Sequence, residues 1–158
     1  MIQLSQSLSE NPGNTALLEM VAVSYQNIGN LKEALAEYER LYAQTKSPQQ
    51  LYQIATLQYG LERSGECKSS LQQLMLMDLE KEKISINMGQ QSQEVPMRAA
   101  VMNFTGVLFQ ANKQLADAKR SFEEALKIAP NFVLAKNNLD NLNRPAAGTG
   151  TKPATGGK

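Results

Sequence analysis

The chemistry open to this chain is limited first by what it lacks. Its 158 residues include no histidine, which removes histidine-dependent triads, imidazole acid–base catalysis and most zinc or iron sites. Cys67 is the only cysteine, so there is no intramolecular disulfide and no all-cysteine metal site. As a nucleophile it would need a base to take its proton, and only Lys68 stands beside it. The sequence instead reads Cys67 as a small residue packed between helices. Gly157-Lys158 has two letters of a phosphate loop, but not its spacing, its following Ser or Thr, or a helix behind it. Glu33, Glu37, Glu123 and Glu124 fall on helix faces opposite the apolar stripes, where a catalytic pair would lack the buried pocket that shifts a carboxyl pKa. No catalytic residue, cofactor or metal is implied, and the chain is read as non-enzymatic.

The charge balance narrows the partners. Arg144, Lys152 and Lys158 lie in a final stretch without acids, leaving 13 basic and 15 acidic residues in the body. A near-neutral body lacks the basic stripe that phosphate contacts require, so nucleic acid is not expected as a partner. No window approaches the ~18 consecutive apolar residues of a membrane span, and Met1 to Gln6 lacks the blocks of a secretion signal. The chain is expected to be soluble and not inserted in a membrane. Met1 falls partway through what reads as a repeat, so the compartment stays open: cytoplasmic, or periplasmic if an upstream signal segment has been removed.

Two stretches say the same thing twice. Gly29 to Tyr38 and Asn112 to Phe122 each read as a polar turn, then a helix placing Leu, Ala and an aromatic on one face. Each follows another amphipathic helix, Leu17 to Ile28 and Ala99 to Ala111, and the later copy ends in Ala129-Pro130-Asn131. Paired helices with small residues at the crossing and Pro closing the second helix resemble the tetratricopeptide repeat, whose period is about 34 residues. The resemblance implies an all-α fold, a right-handed α-α superhelix, with a short β-hairpin inserted.

The expected organisation is a partial repeat at 1–14, full repeats at 15–47, 48–79 and 99–130, and a capping helix at 131–143. In the first unit Ala22 faces Ala34, because backbones approach closely only across small side chains. The second unit is the most degenerate: Gly65 to Leu71 keeps the spacing of Gly29 to Leu35, Ser70 stands for Ala34, and helix one is about a turn longer. In the third, Met102, Gly106 and Phe109 answer Leu18, Ala22 and Tyr25. A glycine inside a helix costs ~1 kcal/mol relative to Ala, so Gly106 marks very close helix contact. Between units, at 82–95, Ile84, Ile86 and Met88 alternate with polar residues and Gly89 to Ser92 supplies a turn, the pattern of a hairpin; an irregular or disordered connector is the alternative. Met75, Met77, Met88, Met97 and Met102 cluster around it, either as core packing or as an adaptable surface. Residues 144–158 contain no bulky apolar side chain and are expected to be disordered.

The resemblance also implies a role. Proteins of the family work as scaffolds that bind peptides or proteins on the concave face made by the first helix of each pair. The residues expected on that wall are Glu19, Val23, Gln26 and Asn27, then Tyr52, Thr56 and Tyr59, then Asn103, Val107 and Gln110. Chaperone-binding members clamp a terminal carboxylate with Lys, Arg and Asn, whereas Glu19 and Val23 stand where the first clamp residues would be. The expectation is a neutral peptide held by amides and tyrosines. The alternative is a structural segment of a longer array or a homo-oligomer, with no groove of its own.

Overall fold

A computed structural model describes residues 2–144. Eight helices and one two-stranded sheet make up these residues: α1 (Ile2–Glu10), α2 (Thr15–Asn27), α3 (Leu31–Thr45), α4 (Pro48–Gly60), α5 (Ser64–Leu76), β1 (Lys83–Asn87), β2 (Ser92–Pro96), α6 (Met97–Ala111), α7 (Leu115–Ile128) and α8 (Val133–Asn143). The helices pack as successive antiparallel hairpins, giving an all-helical solenoid interrupted by the sheet. The expected disordered tail lies, beyond Arg144, outside the described residues.

Three interhelical turns are built alike. Each places one residue in the left-handed region, Gly29 (φ 80°), Glu62 (φ 60°) and Lys113 (φ 60°). The next amide then donates back to a carbonyl five residues earlier: Asn30 to Tyr25 at 2.9 Å, Arg63 to Gln58 at 2.8 Å, Gln114 to Phe109 at 2.8 Å. This common turn fixes which residues are equivalent. Ala34, Cys67 and Ala118 occupy one place, Ala22, Ala55 and Gly106 another, and all but Gly106 are fully buried hydrophobics at the helix crossings. Gly106 is buried as well, and a Cβ built there would stand 2.5 Å from Cε1 of Phe122. The glycine therefore makes room for the ring.

Two expectations for the second unit are corrected. α4 is not longer than α2, since both have 13 residues. The register set by Gly65 is displaced by three: the turn residue is Glu62, Cys67 takes the place of Ala34, and Ser70 falls where Glu37 and Ser121 stand. Gly65 lies inside α5, where an added side chain would meet nothing within 4 Å. A left-handed turn made by Glu62 carries no sequence mark, because glycine is only the cheapest residue for that conformation.

The inserted hairpin pairs antiparallel, with Ile84 opposite Val95 and Ile86 opposite Gln93. A lone hairpin is marginal in water. Here Ile84, Ile86 and Val95 are buried in the core, and polar ties hold its ends. Gln49 Nε2 donates to Glu82 Oε2 at 2.6 Å, while Gln93 donates to the Asn131 carbonyl at 2.7 Å and accepts from the Val133 amide at 3.0 Å. Gly89 (φ 88°) allows the tight turn, closed by Met88 N–H to the Gln91 carbonyl at 2.7 Å. Met97 is fully buried beneath the hairpin's end, and Met75, Met77, Met88 and Met102 pack half-buried against the core.

Candidate binding groove

Helices α2 and α4 each turn one row of side chains away from their crossing partners. Val23, Gln26 and Asn27 of α2 and Tyr52, Gln53 and Thr56 of α4 form one wall of a groove of about 730 Å³. The opposite wall is the hairpin: Ile84, Ser85, Ile86 and Asn87 of β1, then Gln90, Gln91 and Ser92. Tyr38 reaches the floor from α3, its hydroxyl donating to Gln26 Oε1 at 3.4 Å. No lining residue carries a charge, and six of them bear side-chain amides. An extended backbone offers alternating donors and acceptors, and primary amides can answer both.

Of the ten residues expected on the binding wall, five line this groove: Val23, Gln26, Asn27, Tyr52 and Thr56. Glu19 is exposed but does not line it. Tyr59 sits edge-on to Phe104, ring centroids 5.6 Å apart, and Tyr52 is tilted against the same ring at 5.8 Å. Val107 and Gln110 lie on α6 away from the lining. Asn103 is a correction. It is buried at 3% exposure, and its Oδ1 accepts from Asn138 Nδ2 at 2.9 Å. Helix α8 packs back on α6 and covers that position, so a surface that runs open along α2 and α4 closes at α6. Sequence reasoning missed Gln53; it offers the segment from Ile84 to Val95 as a second candidate surface, an edge strand able to recruit a peptide, but the alternation of Ile84 and Ile86 says nothing of which helices face it.

Burial governs the titrating groups here. The Cys67 thiol, on the crossing face of α5, is pushed up to about 12 by desolvation. Desolvation also raises the Tyr52 hydroxyl well above its ordinary value, with the nearby Cys67 adding to the shift. Tyr38 is raised too, by burial first and by Glu19 second.

A second opening lies between α5 and α6. It encloses about 590 Å³ between Ser64, Gly65, Lys68, Leu71, Gln72, Met75 and Leu76 on one side and Met102, Thr105, Leu108, Phe109 and Asn112 on the other. Its surface is mainly apolar, Leu76 being 89% exposed, and Lys68 is its one charged residue.

No family model matches the chain, and no curated protein does. Solved structures do. PilF of Pseudomonas aeruginosa aligns at 21% identity and a TM-score of 0.69, over 89% of this chain and 57% of that one. MamA aligns at 15% and 0.67, over 88% and 72%. The first tetratricopeptide domain of Spaghetti (RPAP3), bound to the HSP90 peptide SRMEEVD, aligns at 17% and 0.63, over 81% and 89%. At these identities the likeness is one of fold, and this chain has the tetratricopeptide-repeat fold.

Proposed function

We propose that this chain is a non-catalytic interaction module and that the groove between α2, α4 and β1 holds an uncharged segment of a protein partner. One observation carries the reading: a groove of about 730 Å³ whose lining is amide-rich and without charge. Such a surface recognises backbone amides and small apolar side chains, and gives no counter-ion to a carboxylate. The solved RPAP3 domain supports peptide binding as something this fold can do. That peptide, SRMEEVD, is acidic towards its end, and the groove here has no Lys or Arg to meet it. The absence of any histidine and a thiol held protonated by burial support a binding role over catalysis.

The test starts from a displayed library of random peptides selected on the immobilised protein, with enriched peptides measured by calorimetry. Val23→Arg and Thr56→Arg should abolish binding while leaving the melting temperature near that of the parent, because both side chains border open space in the groove. Glu124→Ala, on the outer surface of α7, should change nothing. Unaltered affinity in both groove variants would move the site elsewhere.

A further inference from the structure

We infer that β1 is a docking strand: the partner segment adds to its free edge, inside the groove, as a third antiparallel or parallel strand. The inference rests on the groove reading above and specifies how that groove would hold its ligand.

The hydrogen-bond ladder decides which groups are free. Met97 N–H donates to the Glu82 carbonyl at 2.8 Å, and Met88 N–H to the Gln91 carbonyl at 2.7 Å, at the two ends of the hairpin. Paired residues in an antiparallel ladder alternate between those that exchange these bonds and those that do not. Counting inward through the register, Ile84 with Val95 and Ile86 with Gln93 are the bonded pairs, and Ser85 with Glu94 and Asn87 with Ser92 are not. The N–H and C=O groups of Ser85 and Asn87 therefore point away from β2. Among the described residues these groups have no backbone hydrogen-bond partner outside the sheet.

That edge looks into the groove. Four consecutive residues of β1, Ile84 to Asn87, line it, whereas β2 contributes only Ser92. A sheet face would have shown alternate residues from both strands, so the groove is bounded by the edge of β1. The two edges of the hairpin also differ in their defences. Strand edges are normally protected against pairing by charge or proline. β2 carries Glu94 and Pro96 at its outward positions, while β1 offers Ser85 and Asn87, with Lys83 only at its far end. The protected edge is the one that does not border the groove.

The occupant is an extended, uncharged segment of another protein, of about five residues to match β1. Its alternate side chains would face the apolar floor near Tyr52, Ile84 and Ile86, and the amides of Gln26, Gln53 and Gln90 would meet its other polar groups. A second copy of this chain would have to bring its own β1, already walled by its own α2 and α4, into the same space.

The experiment uses the peptides selected above. Ser85→Pro removes an outward N–H without breaking a bond to β2, and Glu94→Pro does the same on the far edge. Ser85→Pro should weaken binding by about tenfold or more, the worth of one well-made hydrogen bond with its displaced neighbours, and Glu94→Pro should not. Amide exchange followed by NMR gives a readout independent of mutation: on peptide addition the Ser85 and Asn87 amides should slow, and Glu94 should stay fast. Binding abolished by Val23→Arg but indifferent to Ser85→Pro, with unchanged exchange at Ser85 and Asn87, overturns strand addition and leaves the groove standing. Indifference to both variants, or a library that yields no binder, overturns both. A concentration-dependent dimer lost in Ser85→Pro would make the occupant a second copy and overturn the peptide.

Discussion

The α3/α4 and α5/α6 junctions hold equivalent places in the array and are built differently. Two residues, Lys46 and Ser47, join α3 to α4, whereas residues 77–96 separate α5 from α6. At the first junction Leu31 and Leu35 fill the space, Leu35 being buried and Leu31 lying 3.4 Å from where a Cβ on Gly60 would stand. Their equivalents on α5 are Ser64 and Lys68, which leave the apolar cleft of about 590 Å³. The same twenty residues also supply β1, the second wall of the groove. One insertion thus loosens a repeat contact on one side and supplies the second wall of the groove on the other. Repeat stacking is a nearest-neighbour affair, so a local departure of this kind need not disturb the units beyond it.

The comparison can be broken most forcefully at its tight half. Leu35→Ala should lower stability by about 2–5 kcal/mol in urea unfolding, as for other buried leucines, while Lys68→Ala at the equivalent place should stay within about 0.5 kcal/mol of the parent. Equal losses would mean that the two junctions are packed alike. The crossings come next. Gly106→Ala would drive a Cβ into the Phe122 ring, and Ala118→Leu would overfill the same contact; each should cost roughly 1–3 kcal/mol, read as a fall in melting temperature. Cys67→Ala should be tolerated far better, because Ala is the residue at both equivalent positions.

Alkaline pH separates α5 from the other crossing helices. The Cys67 thiol ionises at 9.0 when unperturbed and at about 12 in the folded chain, so the unfolded state loses its proton first. Its contribution is intact below pH 9 and declines as pH rises towards 12. The raised Tyr52 hydroxyl acts in the same direction at higher pH. Melting temperature should fall above pH 9, and Cys67→Ala should flatten the first part of that fall. The smallest effect concerns the cleft itself: Lys68→Leu places there the apolar residue that α3 carries at Leu35 and should stabilise by about 1 kcal/mol, within the range of cavity-filling changes. A loss of stability would show that Lys68 has a structural partner in the cleft.

Much of this was readable from the residues alone, and the misses have physical causes. The Ala22, Ala34 and Ala118 contacts and the tight approach at Gly106 follow from small residues at helical spacing. The hairpin follows from alternation at Ile84 and Ile86. Unit two was misregistered because Gly65 looks like the turn glycine, whereas Glu62 makes the turn at a modest conformational cost that no composition reveals. Half of the expected wall lines the groove, since exposure along α2 and α4 depends on local helix faces. Asn103 does not, because its burial depends on α8 folding back from thirty-five residues away. The facing of β1 towards α2 and α4 is likewise a long-range fact, outside the reach of periodicity.

The choice between the two openings is tested most directly by titrating an isotope-labelled sample with a selected peptide and following backbone NMR signals. Peptide binding in the groove should move Val23, Thr56, Ser85 and Asn87 and leave Lys68, Met75 and Met102 in place. Shifts confined to Lys68, Met75 and Met102, with the groove residues unmoved, would contradict the account and put the binding surface in the α5/α6 cleft.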